Sequence, residues 1–211
     1  MNRVLMVIIW LLPMMVGLFT YDKLPETMAT HFDFHGEANG YQSKGMFFLT
    51  YLLISGLLIV LTNLSRRIDP RKENYPKFEK AFGIIRLLVL FVLSAGFIFV
   101  IAVNLGLAVD AVIAAHLLVG VTWLVIGNYL GQVRSNYFIG IRTPWTLASD
   151  EVWRKTHRFS GPLWVVVGAI MVISAFVPFL RQTPFLLFAL IAASALLPVL
   201  YSYVIYRQGS R

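Results

Sequence analysis

The sequence predicts an all-α integral membrane protein with six transmembrane helices, and composition is the first observation behind this prediction. Hydrophobic residues make up 58% of the 211 positions and charged residues only 13%, against roughly 45–50% and 25% in typical soluble domains. The second observation is six nearly uncharged stretches of 17 to 23 residues. Each is long enough to cross ~30 Å of hydrocarbon as a helix. A water-soluble fold is therefore excluded.

In chain order, the predicted spans are residues 4–20, 46–64, 87–107, 111–130, 162–180 and 184–206. The first could instead be a cleavable signal peptide, but no small-x-small cleavage site follows it, which favours a retained helix. The third and fourth form an almost continuous apolar run, interrupted mainly by Asn104, Gly106 and Asp110. Because that run is too long for one span, we interpret it as a tight helical hairpin.

The third observation is the distribution of basic residues, which predicts the orientation. With the N-terminus inside, fifteen Lys and Arg fall on the cytoplasmic side, and only Lys23, Lys44 and Arg181 fall outside. Lys and Arg are retained in the cytoplasm during insertion, so both termini are predicted to be cytoplasmic. Topology and anionic inner-leaflet lipid then account for the net charge of +8, and direct nucleic-acid binding is not expected. The chain has no cysteine, which excludes disulfides, thiolate metal sites and cysteine nucleophiles.

The outer loop, residues 21–45, is predicted to be an extended, turning segment that forms a structured cap, since it contains Pro25 and the turn formers Gly36, Asn39 and Gly40. His31, Asp33 and His35 alternate. On a strand they would project from one side and could offer nitrogen and oxygen ligands to a divalent metal. The simpler alternative is that His31 hydrogen-bonds a neighbouring residue. We therefore predict no metal site.

The inner loop, residues 131–161, is predicted to contain an amphipathic helix at the membrane interface. Ser149 is a suitable N-cap, and acidic residues occupy the first turn. Four residues share an apolar face: Val152, Trp153, Thr156 and Phe159. The opposite face is basic, with Arg154, Lys155 and Arg158. We expect the basic face to contact headgroups and Trp153 to lie at the acyl boundary, with the fifth span following at residue 162.

Upstream of this helix, seven distinctive residues occur close together: Asn136, Tyr137, Gly140, Arg142, Thr143, Pro144 and Trp145. One interpretation is a binding or signalling surface, to which Arg142 contributes a planar fork of donors and Trp145 an apolar plate. The other is a segment lying along the membrane interface, whose polar groups only anchor it. In contrast, the second loop, SRRIDPRKENYPKFEK, is interpreted as an ordinary solvated connection.

The string NYFIGIRTPWTLASDEVWRKTHRFSG resembles the signature of the SdpI family of membrane proteins. The outer segment LPETMATHFDFHGEANGYQSKG is similar to a small domain of unknown function found at the N-terminus of many members. The matching positions in the outer loop include Pro25, His31, Phe32, Gly36, Ser43 and Lys44, and in the inner loop they extend to Trp153, Thr156, His157 and Arg158. The resemblance implies three units: residues 1–64 with the outer loop, 65–110, and an SdpI-like unit 111–211.

The resemblance also implies a non-enzymatic function without a cofactor. A chain of this family in a bacterial cell membrane would protect against, or sense, a secreted toxic antimicrobial peptide such as a sporulation-delaying toxin. Its outer-loop motif would recognise the peptide, and its inner-loop motif would bind or signal. When loaded with peptide, it would hold a transcriptional repressor at the membrane. The expected partners are thus the lipid bilayer, a toxin and a cytoplasmic repressor.

Intramembrane polar residues leave further alternatives. His116 is the clearest ionisable group at membrane depth and could pair with Asp110, either as a proton relay or as a hydrogen-bonded packing residue. Arg86 is expected to snorkel toward the interface. Six spans with kinking prolines also fit a small-solute or peptide transporter or channel. A membrane enzyme is disfavoured because the chain has no HExxH motif and no paired catalytic carboxylates.

Overall fold

The computed structural model describes residues 3–209; Arg211, counted above on the cytoplasmic side, lies outside this range. Helices dominate: α1 (Arg3–Thr20), α2 (Lys44–Ile68), α3 (Glu79–Asn104), α4 (Ala111–Leu130), α5 (Pro144–Ala148), α6 (Asp150–Phe176), α7 (Pro178–Arg181) and α8 (Pro184–Gly209). The strands are β1 (Thr27–Phe32) and β2 (Ala38–Ser43). Short 3₁₀ helices cover Tyr21–Lys23 and Lys72–Phe78.

The six predicted spans are confirmed, since six helices of the described range are long and apolar enough to cross a membrane. The loops divide between the two ends of the bundle. One end carries the hairpin formed by β1 and β2, together with residues 105–110 and α7, and is called the hairpin end below. The other, here the motif end, carries residues 69–78 and 131–149 and the outer turns of α1 and α8.

The inner-loop helix does begin where the sequence predicts, because the Ser149 side chain accepts a hydrogen bond from the backbone N–H of Val152. It is not a separate interfacial helix. α6 continues without interruption through Pro162 to Phe176, so its amphipathic first turns are the end of the fifth span. Trp153 is only 2% exposed and lies inside a hydrophobic cluster, away from the acyl boundary where the sequence placed it.

Polar contacts join α1, α2 and α3. The Tyr51 hydroxyl donates to the Trp10 carbonyl oxygen at 2.7 Å and lies 3.1 Å from Ser94 Oγ. The indole N–H of Trp10 donates to Ser55 Oγ at 2.8 Å. Phe47 and Phe97 stack with their ring centroids 3.8 Å apart. In lipid, where hydrophobic burial does not separate one helix from another, such hydrogen bonds and close packing hold helices together.

Glycines set the spacing between α4 and α6. A Cβ atom at Gly168 would lie 2.6 Å from both Gly120 O and Leu124 N, and one at Gly127 would lie 2.8 Å from Gly161 O. The two backbones are therefore in direct contact, which small residues at a membrane helix interface permit.

α8 is fastened to this pair by Ser194. Trp123 on α4 donates its indole N–H to Ser194 Oγ, and Trp164 on α6 donates to the Ser194 carbonyl oxygen, both at 2.9 Å.

Candidate functional site

The outer loop forms an antiparallel hairpin in which Thr27 pairs with Ser43 and Phe32 with Ala38. Asn104, near the end of α3, donates to the Ala29 carbonyl oxygen at 2.8 Å and accepts from the Ala29 N–H at 2.9 Å. It thereby fastens β1 to the bundle as a strand partner would. Sequence reasoning missed this role, because an Asn at a span end fits many contacts equally well.

The Ser-Lys pair that ends the outer motif is structural. Ser43 caps α2 by accepting from the Met46 N–H. Lys44 is 6% exposed. Its ammonium group donates to the carbonyl oxygens of Tyr21 at 3.2 Å and Leu24 at 3.3 Å, and it lies 2.9 Å from a Glu26 carboxylate oxygen. The base of the loop is therefore closed by this one buried charge and its partners. Pro25 of the same motif is exposed.

The expectation that His31, Asp33 and His35 share one side of a strand is wrong. β1 ends at Phe32, so Asp33 and His35 lie in the turn. Asp33 accepts from the backbone N–H groups of Glu37 and His35, which lowers the pKa of its carboxyl group. His31 Nδ1 hydrogen-bonds Asn39. Within residues 3–209, no three His, Asp or Glu side chains are arranged to hold a metal ion.

Phe32 and Gly36 bring the hairpin against the helices. The Phe32 ring meets Phe99 of α3 edge to face, with centroids 5.6 Å apart. Gly36 has a φ of +84°, which favours glycine, and a Cβ there would lie 3.4 Å from Val112 of α4. The tip of the hairpin consequently rests on the start of α4.

Beneath the hairpin lies a cavity of about 340 Å³ whose walls include Phe32, Phe99, Ala115 and His116. It adjoins an open cleft of about 780 Å³ lined by Asp110 and other residues. The suggested pairing of Asp110 with His116 is not formed. Asp110 caps α4 by accepting from two backbone N–H groups, and its Oδ2 lies 3.8 Å from a guanidinium nitrogen of Arg181. His116 Nδ1 hydrogen-bonds the Val112 carbonyl oxygen at 2.8 Å.

At the motif end, Asn136 is a buried structural residue with all of its amide groups bonded. Its Nδ2 donates to the carbonyl oxygens of Arg134 at 2.8 Å and Ile139 at 2.9 Å. Its Oδ1 accepts from the N–H groups of Phe138 and Ile139. With a side chain that is fully buried, Asn136 has no donor or acceptor left for a ligand.

Trp153 and His157 hold the loop against α6. Their rings stack with centroids 4.1 Å apart. Trp153 donates to the Val133 carbonyl oxygen at 2.9 Å, and His157 Nε2 accepts from the Ile141 N–H at 3.0 Å. Nδ1 must then carry the proton, which it donates to the Trp153 carbonyl oxygen. Gly140 crosses these rings with a φ of +114°, and a Cβ there would strike His157 Nε2.

The Thr-Pro-Trp segment builds the short helix α5. Thr143 and Thr146 form a capping box, with Pro144 in the first turn. The Thr143 hydroxyl lies 3.1 Å from Ser202 Oγ of α8. Trp145 packs against Tyr203 of α8 with centroids 5.0 Å apart. These contacts explain why the segment needs residues of these types, and they attach the loop to the last span.

The interpretation of the second loop as an ordinary solvated connection is wrong, because it docks onto residues 131–149, here the motif loop. Asp69 is 2% exposed and accepts from the Tyr75 hydroxyl and the Tyr137 N–H, both at 3.0 Å. Arg71 donates to the Leu147 carbonyl oxygen at 2.8 Å and to Ser135 Oγ. A charged stretch gives no periodic signal of burial, so the sequence did not reveal this contact.

The motif therefore divides into a buried framework and an exposed face. Tyr137, Arg142, Pro144 and Arg158 are exposed. Arg142 donates to the Tyr137 carbonyl oxygen at 2.7 Å, which leaves most of its guanidinium donors directed to solvent. Thr156 is buried, and its hydroxyl has no hydrogen-bond partner in the described structure. An external partner would therefore contact the exposed side chains of Tyr137, Arg142, Pro144 and Arg158.

Comparison with known proteins matches both loop regions. Residues 132–202 match the SdpI/YfhL protein family, and residues 8–54 match a domain of unknown function, DUF1648. The whole chain is 27% identical to the immunity protein SdpI of Bacillus subtilis (strain 168) and covers 99% of that relative. No solved structure matches it. The resemblance noted from the two loops is confirmed, and with the six apolar helices these matches identify a multi-pass cell-membrane protein.

Proposed function

We propose that this chain, as a membrane protein of the SdpI type, protects its cell against a secreted toxic peptide by a non-enzymatic mechanism. The observation that carries the proposal is its similarity, over its full length, to an immunity protein. The distribution of Lys and Arg supports placing the motif end in the cytoplasm and the hairpin end outside, where a secreted peptide arrives.

The hairpin end offers the better site for a peptide. Its cavity is walled by aromatic and small apolar side chains such as Phe99 and Ala115 and continues into a cleft with polar groups such as Asp110. A concave apolar surface with a few polar groups is the usual form of a binding site. The exposed aromatic ring of Phe34 stands against Phe188 of α8, with centroids 5.0 Å apart, and extends the apolar surface past the cavity.

The motif end has the properties of a surface for a cytoplasmic protein, and a repressor held there is part of the proposal. The exposed rings of Tyr137 and Phe138 lie in the same loop as Arg134 and Arg142. Aromatic residues and Arg are enriched where proteins bind one another. The buried framework behind them would present these side chains in one fixed arrangement.

The test is survival of a toxin-sensitive bacterium that expresses the chain and is challenged with the sporulation-delaying peptide, compared with an empty vector. We expect protection by the unchanged protein and its loss in Ala115→Phe, which fills the cavity. Ala189→Phe, at an exposed position of α8, is the matched control and should still protect.

Each other outcome counts against a defined part of the proposal. Full protection by Ala115→Phe would reject the cavity as the peptide site. No protection by the unchanged protein, with its presence in the membrane verified, would reject immunity to this peptide and favour a transport function instead.

A further inference from the structure

A second groove, apart from both loops, lies between α1, α2 and α3 toward the motif end. Its volume is about 710 Å³. Apolar side chains such as Val7, Ile59 and Val60 line most of it, and Gly56 leaves its wall open, since a Cβ there would meet no atom within 4 Å. The groove runs along the faces of spanning helices, so its apolar part lies at the depth of lipid chains.

Arg86 lines the charged end of this groove, and it is buried where the sequence suggested a snorkelling side chain. It is 9% exposed. One terminal nitrogen donates to Asn63 Oδ1 at 3.1 Å, while Nε is buried without any hydrogen-bond partner among residues 3–209. A guanidinium group has five N–H donors in a planar fork. An Nε left without a partner in this position is costly unless a ligand accepts from it.

The charge around Arg86 is not balanced. Arg66 also lines the groove, and the guanidinium carbons of both residues lie 5.4 Å from the ring centroid of Phe82. The carboxylate of Glu79 lies 3.6 Å from Arg66 and is 66% exposed. Two cations and one anion leave one positive charge in excess. A partly desolvated excess charge favours binding of a single anion.

We propose that this groove binds one anionic phospholipid, with its phosphodiester at Arg86 and Arg66 and an acyl chain along Ile59 and Val60. The two halves of the groove match the two halves of such a lipid. Its charged end supplies donors for phosphate oxygens, and its apolar wall extends along α2 from Asn63 to Gly56, about two helical turns or roughly 10 Å. Free phosphate would use only the charged end.

Native mass spectrometry of the full-length protein with phosphatidylglycerol or phosphatidylcholine tests the proposal. We expect the unchanged protein to retain phosphatidylglycerol preferentially and Arg86→Gln to retain about tenfold less of it, because a hydrogen-bonded charge is lost. Arg67→Gln removes the same charge from an exposed neighbour outside the groove and should retain the lipid normally.

Gly56→Leu provides a second test that leaves every charge in place. It fills the apolar half of the groove and should also lower retention of phosphatidylglycerol. Equal retention of the two lipids by the unchanged protein, equal losses in Arg86→Gln and Arg67→Gln, or normal retention by Gly56→Leu would each overturn the proposal. Thermal stabilisation by inorganic phosphate as large as that by phosphatidylglycerol would identify a free-anion site instead.

Discussion

Two buried threonines of the inner motif differ in how their hydroxyl groups are bonded. Thr146 Oγ1 accepts from the Thr143 N–H and donates to the Ile141 carbonyl oxygen, both at 2.8 Å. Thr156 Oγ1 has no partner in the described part of the chain. Both residues are fully buried. Removing a bonded hydroxyl leaves its partners unsatisfied, whereas removing an unbonded one relieves a desolvation cost.

We therefore expect Thr146→Val to lower the free energy of unfolding by about 1–3 kcal/mol and Thr156→Val to leave it unchanged or raise it. Valine has nearly the same shape, so packing is preserved in both variants. Thermal unfolding of the purified variants in one detergent measures the difference. A Thr156→Val variant as destabilised as Thr146→Val would show that its hydroxyl has a partner after all.

Single residues show where sequence reasoning about the site reached its limit. The sequence correctly identified the inner motif as unusual, and Ser149 as a helix cap. It could not separate Asn136, whose amide is fully used by the loop itself, from Arg142, which is exposed. Both are polar residues in one motif, and only their hydrogen-bond partners, fixed by the path of the backbone, distinguish a framework residue from an available one.

Between helices, the backbone contact of α4 with α6 makes a sharp prediction. Gly168→Ala would place its Cβ 2.6 Å from the Gly120 carbonyl oxygen, and neither backbone can yield without separating the helices. We expect a loss of about 1–3 kcal/mol in the free energy of unfolding. Thermal unfolding again measures it, with Gly96→Ala of α3 as control. A Cβ at Gly96 meets nothing within 4 Å, so this control should be neutral or stabilising.

If Gly168→Ala were as stable as the Gly96→Ala control, α4 and α6 would not be in backbone contact.

Helix positions were the most predictable property of these elements, since apolar length alone defines a span. Their ends were less so. α3 begins at Glu79, eight residues before the predicted span, because a helix continues past the apolar core for as long as its backbone hydrogen bonds and docked side chains support it.

At the scale of the whole molecule, Asp69 links the second loop to the motif loop. Its buried carboxylate accepts from Tyr75 of the second loop and from the Tyr137 N–H of the motif loop. Asp69→Ala removes both accepting oxygens, so we expect faster hydrogen–deuterium exchange at Tyr137 and a loss of about 1–3 kcal/mol in the free energy of unfolding. Asp22→Ala, at an exposed position near the hairpin, is the control.

Unchanged exchange across residues 134–141 in Asp69→Ala would contradict this role. The link also marks what a sequence could not supply for the molecule as a whole. Asp69 and Tyr137 are 68 positions apart, and neither local charge nor local hydropathy records which loop meets which. The six spans could be predicted because each satisfies its own backbone, whereas the pairing of loops depends on the helix arrangement that brings them together.

The unbroken course of α6 has a mechanical consequence. Its 27 residues form a rod of roughly 40 Å. Trp153 and His157 fix one end to the motif loop, and beyond its other end Arg181 meets Asp110 beside the hairpin cleft. Because α4 packs against it in direct backbone contact, α6 can bend only a little. α6 is thus a stiff spacer that fixes the separation between the hairpin end and the motif loop.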